Sequence, residues 1–258
     1  MLEKQLLFFG NGFSPFSRKV GLALEYKGLE YRYVDGLARE NHAALQAMNA
    51  RGEVPAIKHN GLVVTQSAHI VSYLDEAFPD RPILPKSAEC RVIARRLEQL
   101  FGTIVDAAIV NSSLWTWANR PDRRPNGLFE AAQSDIFDAL LEVEGHLGED
   151  PDQYMFGGEP GIVEFTLWPH VTALKPLGFE IDQKRLPKLT MWIEKMRRTP
   201  LFRNDTKQTG RFLKEMSDET HERTKIAWRG DRLEWILSRG FHDWFFQEVQ
   251  ENRVIWPT

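Results

Sequence analysis

Cysteine is almost absent from this chain. Among its 258 residues only Cys90 carries a thiol, so no internal disulfide can form and a reducing, cytoplasmic setting is expected. One cysteine cannot anchor zinc, and the seven histidines show neither HExxH nor paired spacing, so no metal is expected. No apolar run approaches the roughly 18–20 residues of a membrane span. Met1-Leu2-Glu3-Lys4 lacks the basic-then-apolar order of a secretory signal. An excess of one charge is missing as well. The net charge is −3, which offers no electrostatic footprint for nucleic acid or an anionic membrane. Repeats and low-complexity tracts are absent, and no G-x-S-x-G elbow surrounds Ser14, which argues against a Ser-His-Asp hydrolase.

What is present is material for a core, with 42 % apolar and 27 % charged residues. Residues 5–9 and 30–34 have strand character, and 15–27 between them has helical character. Residues 41–48 form a short helix-like stretch. Val54–Lys58 and Leu62–Thr65 flank Asn60-Gly61, a hairpin signal, and a helix starts near Ser67. The order β-α-β-α-β-β-α defines a thioredoxin-like α/β domain over residues 1–80. Three prolines (Pro79, Pro82, Pro85) mark a linker. From residue 86 to 258 the period is helical, so an all-α domain follows, with helices at about 92–108, 128–147, 163–175 and 187–198. Beyond about residue 205 the chain carries Trp228, Trp235, Phe241, Trp244, Phe245, Phe246 and Trp256. That aromatic load is too apolar to leave in water and should fold back, either as ordinary packing or as part of a roof over a cleft.

The most informative stretch is Phe13-Ser14-Pro15-Phe16-Ser17-Arg18-Lys19-Val20. Proline at the first helical position makes Ser14 the N-cap, with its hydroxyl beside the orphan N–H groups of the first turn. The field there favours an anion such as a thiolate. A serine that only caps the helix is the alternative reading.

Joined to two later segments, Asn49–Ile57 and Val64–Pro79, this start resembles the glutathione transferase superfamily in order and spacing. Phe165–Pro169 and Trp192–Arg197 are weaker echoes. The likeness covers roughly residues 5–205 and is to bacterial serine-type or omega-like members, including glutathione-dependent β-etherases. It implies glutathione as co-substrate. Val54-Pro55 would be cis and would pair with the cysteinyl backbone. Gln66-Ser67 would hold the γ-glutamyl carboxylate, although many relatives carry Glu or Asp at Gln66. Asn41 or His42 would lie near the glycine end, and Phe16 belongs to the same binding set. No tyrosine precedes Tyr26 and no cysteine lies near, so Ser14, Ser17 and Asn11 remain as thiol donors. Ser14 is the expected catalytic residue, Ser17 an exposed first-turn residue and Asn11 a turn residue. Phe13, again Phe16, and Trp115 and Trp117 from the Ser112–Trp117 segment would line the electrophile pocket. Relatives begin the helix near residue 162 with a capping box, whereas this chain has Gly161 and Glu164. The glycine is expected to cost only a few tenths of a kcal/mol.

The implied function is a homodimeric transferase that attacks a small, aromatic electrophile, by conjugation or by ether or halide displacement. The alternative is a glutathione-transferase-like binding protein without turnover. Thiol reduction of the omega kind needs a cysteine at position 14.

Overall fold

The computed structural model describes residues 6–113, 124–150, 152–216, 226–227 and 230–255. Its first part is a four-stranded mixed sheet of order β2-β1-β3-β4, built from β1 (Leu6–Gly10), β2 (Tyr31–Asp35), β3 (Ala56–His59) and β4 (Leu62–Thr65). β1 pairs parallel to β2 and antiparallel to β3, and β3 pairs antiparallel to β4. α1 (Pro15–Lys27) makes the parallel crossover, α2 (His42–Met48) follows a short turn of 3₁₀ helix, and α3 (Ser67–Ala77) follows β4. The expected thioredoxin-like order is therefore present. Alternation along β1 sets the layers: Phe8 joins the main core with α1 and α3, whereas Phe9 packs with Leu45 of α2 on the other face. Asn60 and Gly61 both have positive φ (50° and 85°), as a two-residue hairpin requires.

The linker after α3 is tied at both ends. Asp75 accepts the Ile83 N–H at 2.6 Å, and the Lys27 ammonium donates to the carbonyls of Phe78, Asp80 and Arg81. The helical part contains α4 (Ala88–Leu100), a π-helical turn Phe101–Val105, α5 (Asp106–Ser112), α6 (Leu128–His146), α7 (Ile162–Leu174), α8 (Pro187–Arg198) and α9 (Pro200–Met216). α4, the π turn and α5 run on without a break, so the expected long helix exists but contains a register shift. No helix of the described residues is long and apolar enough to cross a membrane.

The tail does fold back. α10 (Gly230–Ser238) buries Trp235 and Ile236, and α11 (His242–Gln250) buries Phe245. Trp235 Nε1 and the Arg239 guanidinium both donate to Asp135 of α6 (2.6 and 2.7 Å), and Arg232 pairs with Asp106 of α5 at 3.2 Å. A two-residue parallel pair, β5 (Ile226–Ala227) with β6 (Val254–Ile255), and an isolated antiparallel bridge between Tyr154 and Gly157 add to the all-helical reading. Trp228 and Trp256 lie outside the described residues.

The expectation for Gly161 needs correction. The reach-back is present, with the Gly161 N–H donating to Glu164 Oε2 at 3.0 Å. But a Cβ on Gly161 would lie 2.6 Å from the Ile83 carbonyl oxygen, which also accepts the Ile162 N–H at 3.1 Å. The linker crosses too close for a side chain, so glycine is required by contact and is not a weakened cap. Gly161→Ser is therefore expected to lose about 1–3 kcal/mol in urea unfolding, where a simple cap argument predicts a gain.

Candidate functional site

The sheet register gathers the distant segments. Phe9 is opposite Ala56, and Ala56 is opposite Thr65. Neighbouring strands lie about 4.8 Å apart. The loop leading to Ser14, the Val54-Pro55 bond just before Ala56 and the Gln66-Ser67 pair just after Thr65 therefore emerge side by side at one end of the sheet. β2 adds Asp35 beside Gly10 and, after its turn, Asn41 and His42.

Ser14 caps α1 with extended backbone (φ −66°, ψ 121°), and its Oγ accepts the Ser17 N–H at 3.3 Å. That is a long distance for an N–H···O bond, so the cap is weak. Its own N–H donates to the Asn11 carbonyl at 3.1 Å, and its carbonyl accepts the Arg18 N–H at 3.0 Å. The hydroxyl proton has no acceptor among the described residues. The first turn carries no acidic side chain, and Pro15 has no N–H. The Ser14 hydroxyl and the Phe16 N–H are what this terminus offers to an anion.

The Val54–Pro55 peptide is cis, as expected. Val54 is half-buried, and its N–H and carbonyl make no backbone hydrogen bond among the described residues. Gln66 has φ 69° and ψ 121°, a strained conformation for a residue with a side chain. Its amide does not cap α3 and is exposed, whereas Ser67 is buried at the first helical position. α3 has neither a side-chain cap nor an acid in its first turn, so a second helix N-terminus opens at the same end of the sheet as the weakly capped first.

The remaining candidates divide. Asn11 is a turn residue as expected and is engaged in holding the loop: Nδ2 donates to Asp35 at 3.1 Å and Oδ1 accepts the Phe13 N–H at 3.1 Å. Asn41 donates to the Asp35 carbonyl at 2.9 Å, which makes it a brace of the β2 turn. His42 is beside Gly52. Phe13 and Phe16 are half-buried. Phe16 faces Gly102 in the π turn and stacks edge-on against His170 at 6.0 Å, so it links the start of α1 to the long helix. Trp115 and Trp117 lie outside the described residues. The preceding Ser112 and Ser113 are buried, with their hydroxyls donated to the Ala108 and Val110 carbonyls.

Ser17 corrects another expectation. It is 3 % exposed, not a solvated first-turn residue, because α1 is packed on more than one side. The same packing buries Arg18 and Lys19. Arg18 binds Asp205 of α9, and Lys19 pairs with Glu98 of α4, which also accepts from Arg95 at 2.6 Å. Burial opposes the Glu98 charge, but Lys19 and Arg95 together hold its carboxyl below the ordinary range. Their charges on the apolar stripe of α1 were the available sequence signal for this interdomain contact. Among the described residues no group of three or more His, Cys, Asp or Glu side chains is placed to hold a metal ion.

His170 was not anticipated. It is buried between Phe16 and Phe101, with Nδ1 at 2.8 Å from the Thr166 carbonyl. Burial pulls its imidazole below the ordinary 6.5, against Asp106 and the Thr166 carbonyl and together with Arg18 and Lys19. The unfolded chain therefore binds a proton below pH 6.5 that the folded chain refuses. Stability present above 6.5 should be lost as pH falls, by up to about 1.4 kcal/mol per pH unit. His170→Gln should flatten that slope in urea unfolding between about pH 7 and pH 5.5.

Two family models match the chain: "Glutathione S-transferase, N-terminal domain" over residues 8–82 and "Glutathione S-transferase, C-terminal domain" over residues 126–195. Pyrimidodiazepine synthase of Drosophila melanogaster is 29 % identical over 208 residues, covering 76 % of this chain and 78 % of its own. Glutathione S-transferase U19 of Arabidopsis thaliana is 29 % identical over 188 residues, covering 70 % and 80 %. Among solved structures, the Tau class glutathione S-transferase of mango, Mangifera indica, superposes with a TM-score of 0.67 at 18 % identity over 82 % of this chain and 98 % of that one. The β-etherase LigF of Sphingobium sp. strain SYK-6 gives 0.63 at 18 % identity over 79 % and 99 %.

Proposed function

The chain belongs to the glutathione transferase superfamily, and we propose that within it Ser14 activates the thiol of glutathione. The enzyme is a glutathione-dependent transferase or lyase. The observation that carries the serine assignment is the Ser14 hydroxyl, whose proton is uncommitted among the described residues at an acid-free helix terminus, set by strand register beside Val54-Pro55 and Gln66-Ser67. In this reading the hydroxyl donates to the sulfur and the helix terminus adds its field, so the thiolate is favoured. The Val54 N–H and carbonyl, outside the backbone ladder, take the cysteinyl backbone. The uncapped start of α3, with Ser67 and Gln66, takes the γ-glutamyl carboxylate.

The thiolate then attacks the electrophilic carbon, a carbon–sulfur bond forms and the leaving group departs with the electron pair. Phe13 and Phe16 offer an apolar wall for an aromatic electrophile. Pyrimidodiazepine synthase, a β-etherase and maleyl pyruvate isomerase among the similar proteins support a broad substrate class for the fold and not one reaction for this chain. Conjugation or ether cleavage is the reading that a nucleophilic thiolate and no second cysteine support best. We expect a cytoplasmic homodimer, which sedimentation at micromolar concentration would contradict by showing only the 29.8 kDa species. Isothermal titration with reduced glutathione tests the site itself. Saturable binding is expected, and no binding at millimolar ligand would sink both the site and the catalytic role.

A further inference from the structure

Between α1, the edge strand β2 and α9 lies a cavity of about 410 Å³. That is within the roughly 300–1,000 Å³ of small-molecule sites. Its occupant need not be glutathione, because Ser14, Val54 and Gln66 do not line it. Ser17, Gly21 and Glu25 do, spaced four apart along one face of α1.

Each of these three positions is unexplained by folding alone. The Ser17 hydroxyl oxygen is buried without a partner among the described residues, an unfavourable state for a polar group. Gly21 sits inside α1, where glycine is less favourable than alanine. A Cβ there would meet only Phe8 Cε1, at 3.9 Å, which is ordinary contact. Packing does not require the glycine. Its effect is to leave the floor of the cavity open between Ser17 and Glu25. Glu25 is half-buried, and its one described side-chain hydrogen bond is a long one, 3.4 Å from Gln208 Nε2. The nearby cation, Arg18, is already taken by Asp205. Burial pushes the Glu25 carboxyl up, Gln208 opposes this, and Asp205 adds to it, so a positive charge brought alongside would offset an existing penalty.

The walls are aromatic. Tyr31 and Tyr33, on one face of β2, stand edge-on to Phe8 at 5.8 and 5.6 Å. Phe212 of α9 closes the end against Gly12, where a Cβ would lie 2.7 Å from its ring. Rings around a carboxylate suit a cation with an apolar body. Outside the closed Arg18–Asp205 pair, the carboxylates Glu25 and Glu215 outnumber the one remaining cation of the lining, Arg211.

We propose that this cavity binds an organic cation with a flat apolar body, its charged nitrogen at Glu25 and its body over Gly21 among the rings, the far edge reaching Ser17. The nitrogen donates to the Glu25 carboxylate, and a polar atom at the far edge of the body meets the Ser17 hydroxyl about two helical turns away. The proposal does not depend on the thiol site.

Fluorescence titration of the full chain with aminoacridine, an aromatic monocation at neutral pH, tests it. Saturable binding is expected. Glu25→Gln should weaken it by about tenfold or more, the scale of one charge-assisted hydrogen bond. Gly21→Leu should abolish it by filling the floor. Glu25→Gln should keep full glutathione-conjugating activity, which certifies its fold. No saturable binding at about 1 mM dye, or equal affinity in wild type and Glu25→Gln, overturns the proposal. Displacement of the cation by the anionic dye anilinonaphthalene sulfonate at lower concentration overturns the charge assignment. If Gly21→Leu does not fold, Glu25→Gln still decides.

Discussion

Ser14→Ala is expected to lower conjugation at neutral pH by about ten- to a hundredfold while glutathione affinity changes little. In the proposed site the hydroxyl acts on the sulfur, and the peptide part of glutathione is left to Val54 and Gln66-Ser67. A charge-assisted hydrogen bond to the thiolate is worth roughly 1.5–3 kcal/mol. One pKa unit corresponds to about 1.4 kcal/mol. The bound thiol should therefore titrate about one to two pH units higher in the variant. Activity should recover as pH rises through that range, a change that a merely structural role would not produce. The substitution also removes the capping bond from the Ser17 N–H, which is long at 3.3 Å. The accompanying stability loss should therefore sit at the low end of capping effects, about 0.5–1 kcal/mol. Titration of the bound thiol by ultraviolet thiolate absorbance and kcat measured across pH check this together. If the variant keeps full turnover with an unshifted thiol, Ser14 is only a cap. The Phe16 N–H then becomes the leading donor, because Asn11 is committed to Asp35 and Phe13.

How much of this was legible before the structure differs by residue. Asn60-Gly61 and Ser14-Pro15 announce their elements through backbone preferences that act within four residues, so the hairpin and the start of α1 follow from local chemistry. Strand alternation then fixes which segments meet at the end of the sheet. What was hidden depends on partners distant in sequence. Ser17 looked exposed because a helix with one apolar face should leave its polar residues in water. α1 instead packs against α3 and α7 and meets α4 and α9 through ion pairs, so three consecutive polar residues, Ser17 to Lys19, are buried. Gly161 looked like a weak cap because the Ile83 carbonyl that forbids a side chain comes from the linker. The left-handed φ of Gln66 has no local signal, since glutamine has no preference for that region. The π turn at Phe101–Val105 is invisible to hydrophobic spacing, which does not separate an i+4 from an i+5 repeat over one turn.

The largest effect on stability is expected at Asp205. Arg18 of α1 reaches it with two hydrogen bonds, Nε to Oδ1 at 3.0 Å and Nη2 to Oδ2 at 2.5 Å. The remaining guanidinium donors go to α7, at the Pro169 carbonyl (3.1 Å) and the Thr172 hydroxyl (3.0 Å). One side chain thus joins the sheet domain to two helices of the other domain, and both charged residues are 8 % exposed. A buried pair is a weak stabiliser against an apolar replacement, because desolvation consumes most of the Coulomb gain. Breaking it is a different matter. Asp205→Ala leaves the Arg18 charge buried with neutral acceptors only, and the loss should be about 3–5 kcal/mol in urea unfolding. Arg18→Met with Asp205→Leu should lose less than Asp205→Ala alone, since no charge is then stranded. An exposed pair would behave otherwise, with each single change costing about 0–1 kcal/mol and the double change roughly their sum. A loss below about 1 kcal/mol for Asp205→Ala would therefore mean that water reaches the guanidinium, and that the ion pair contributes little to holding α1 against α9.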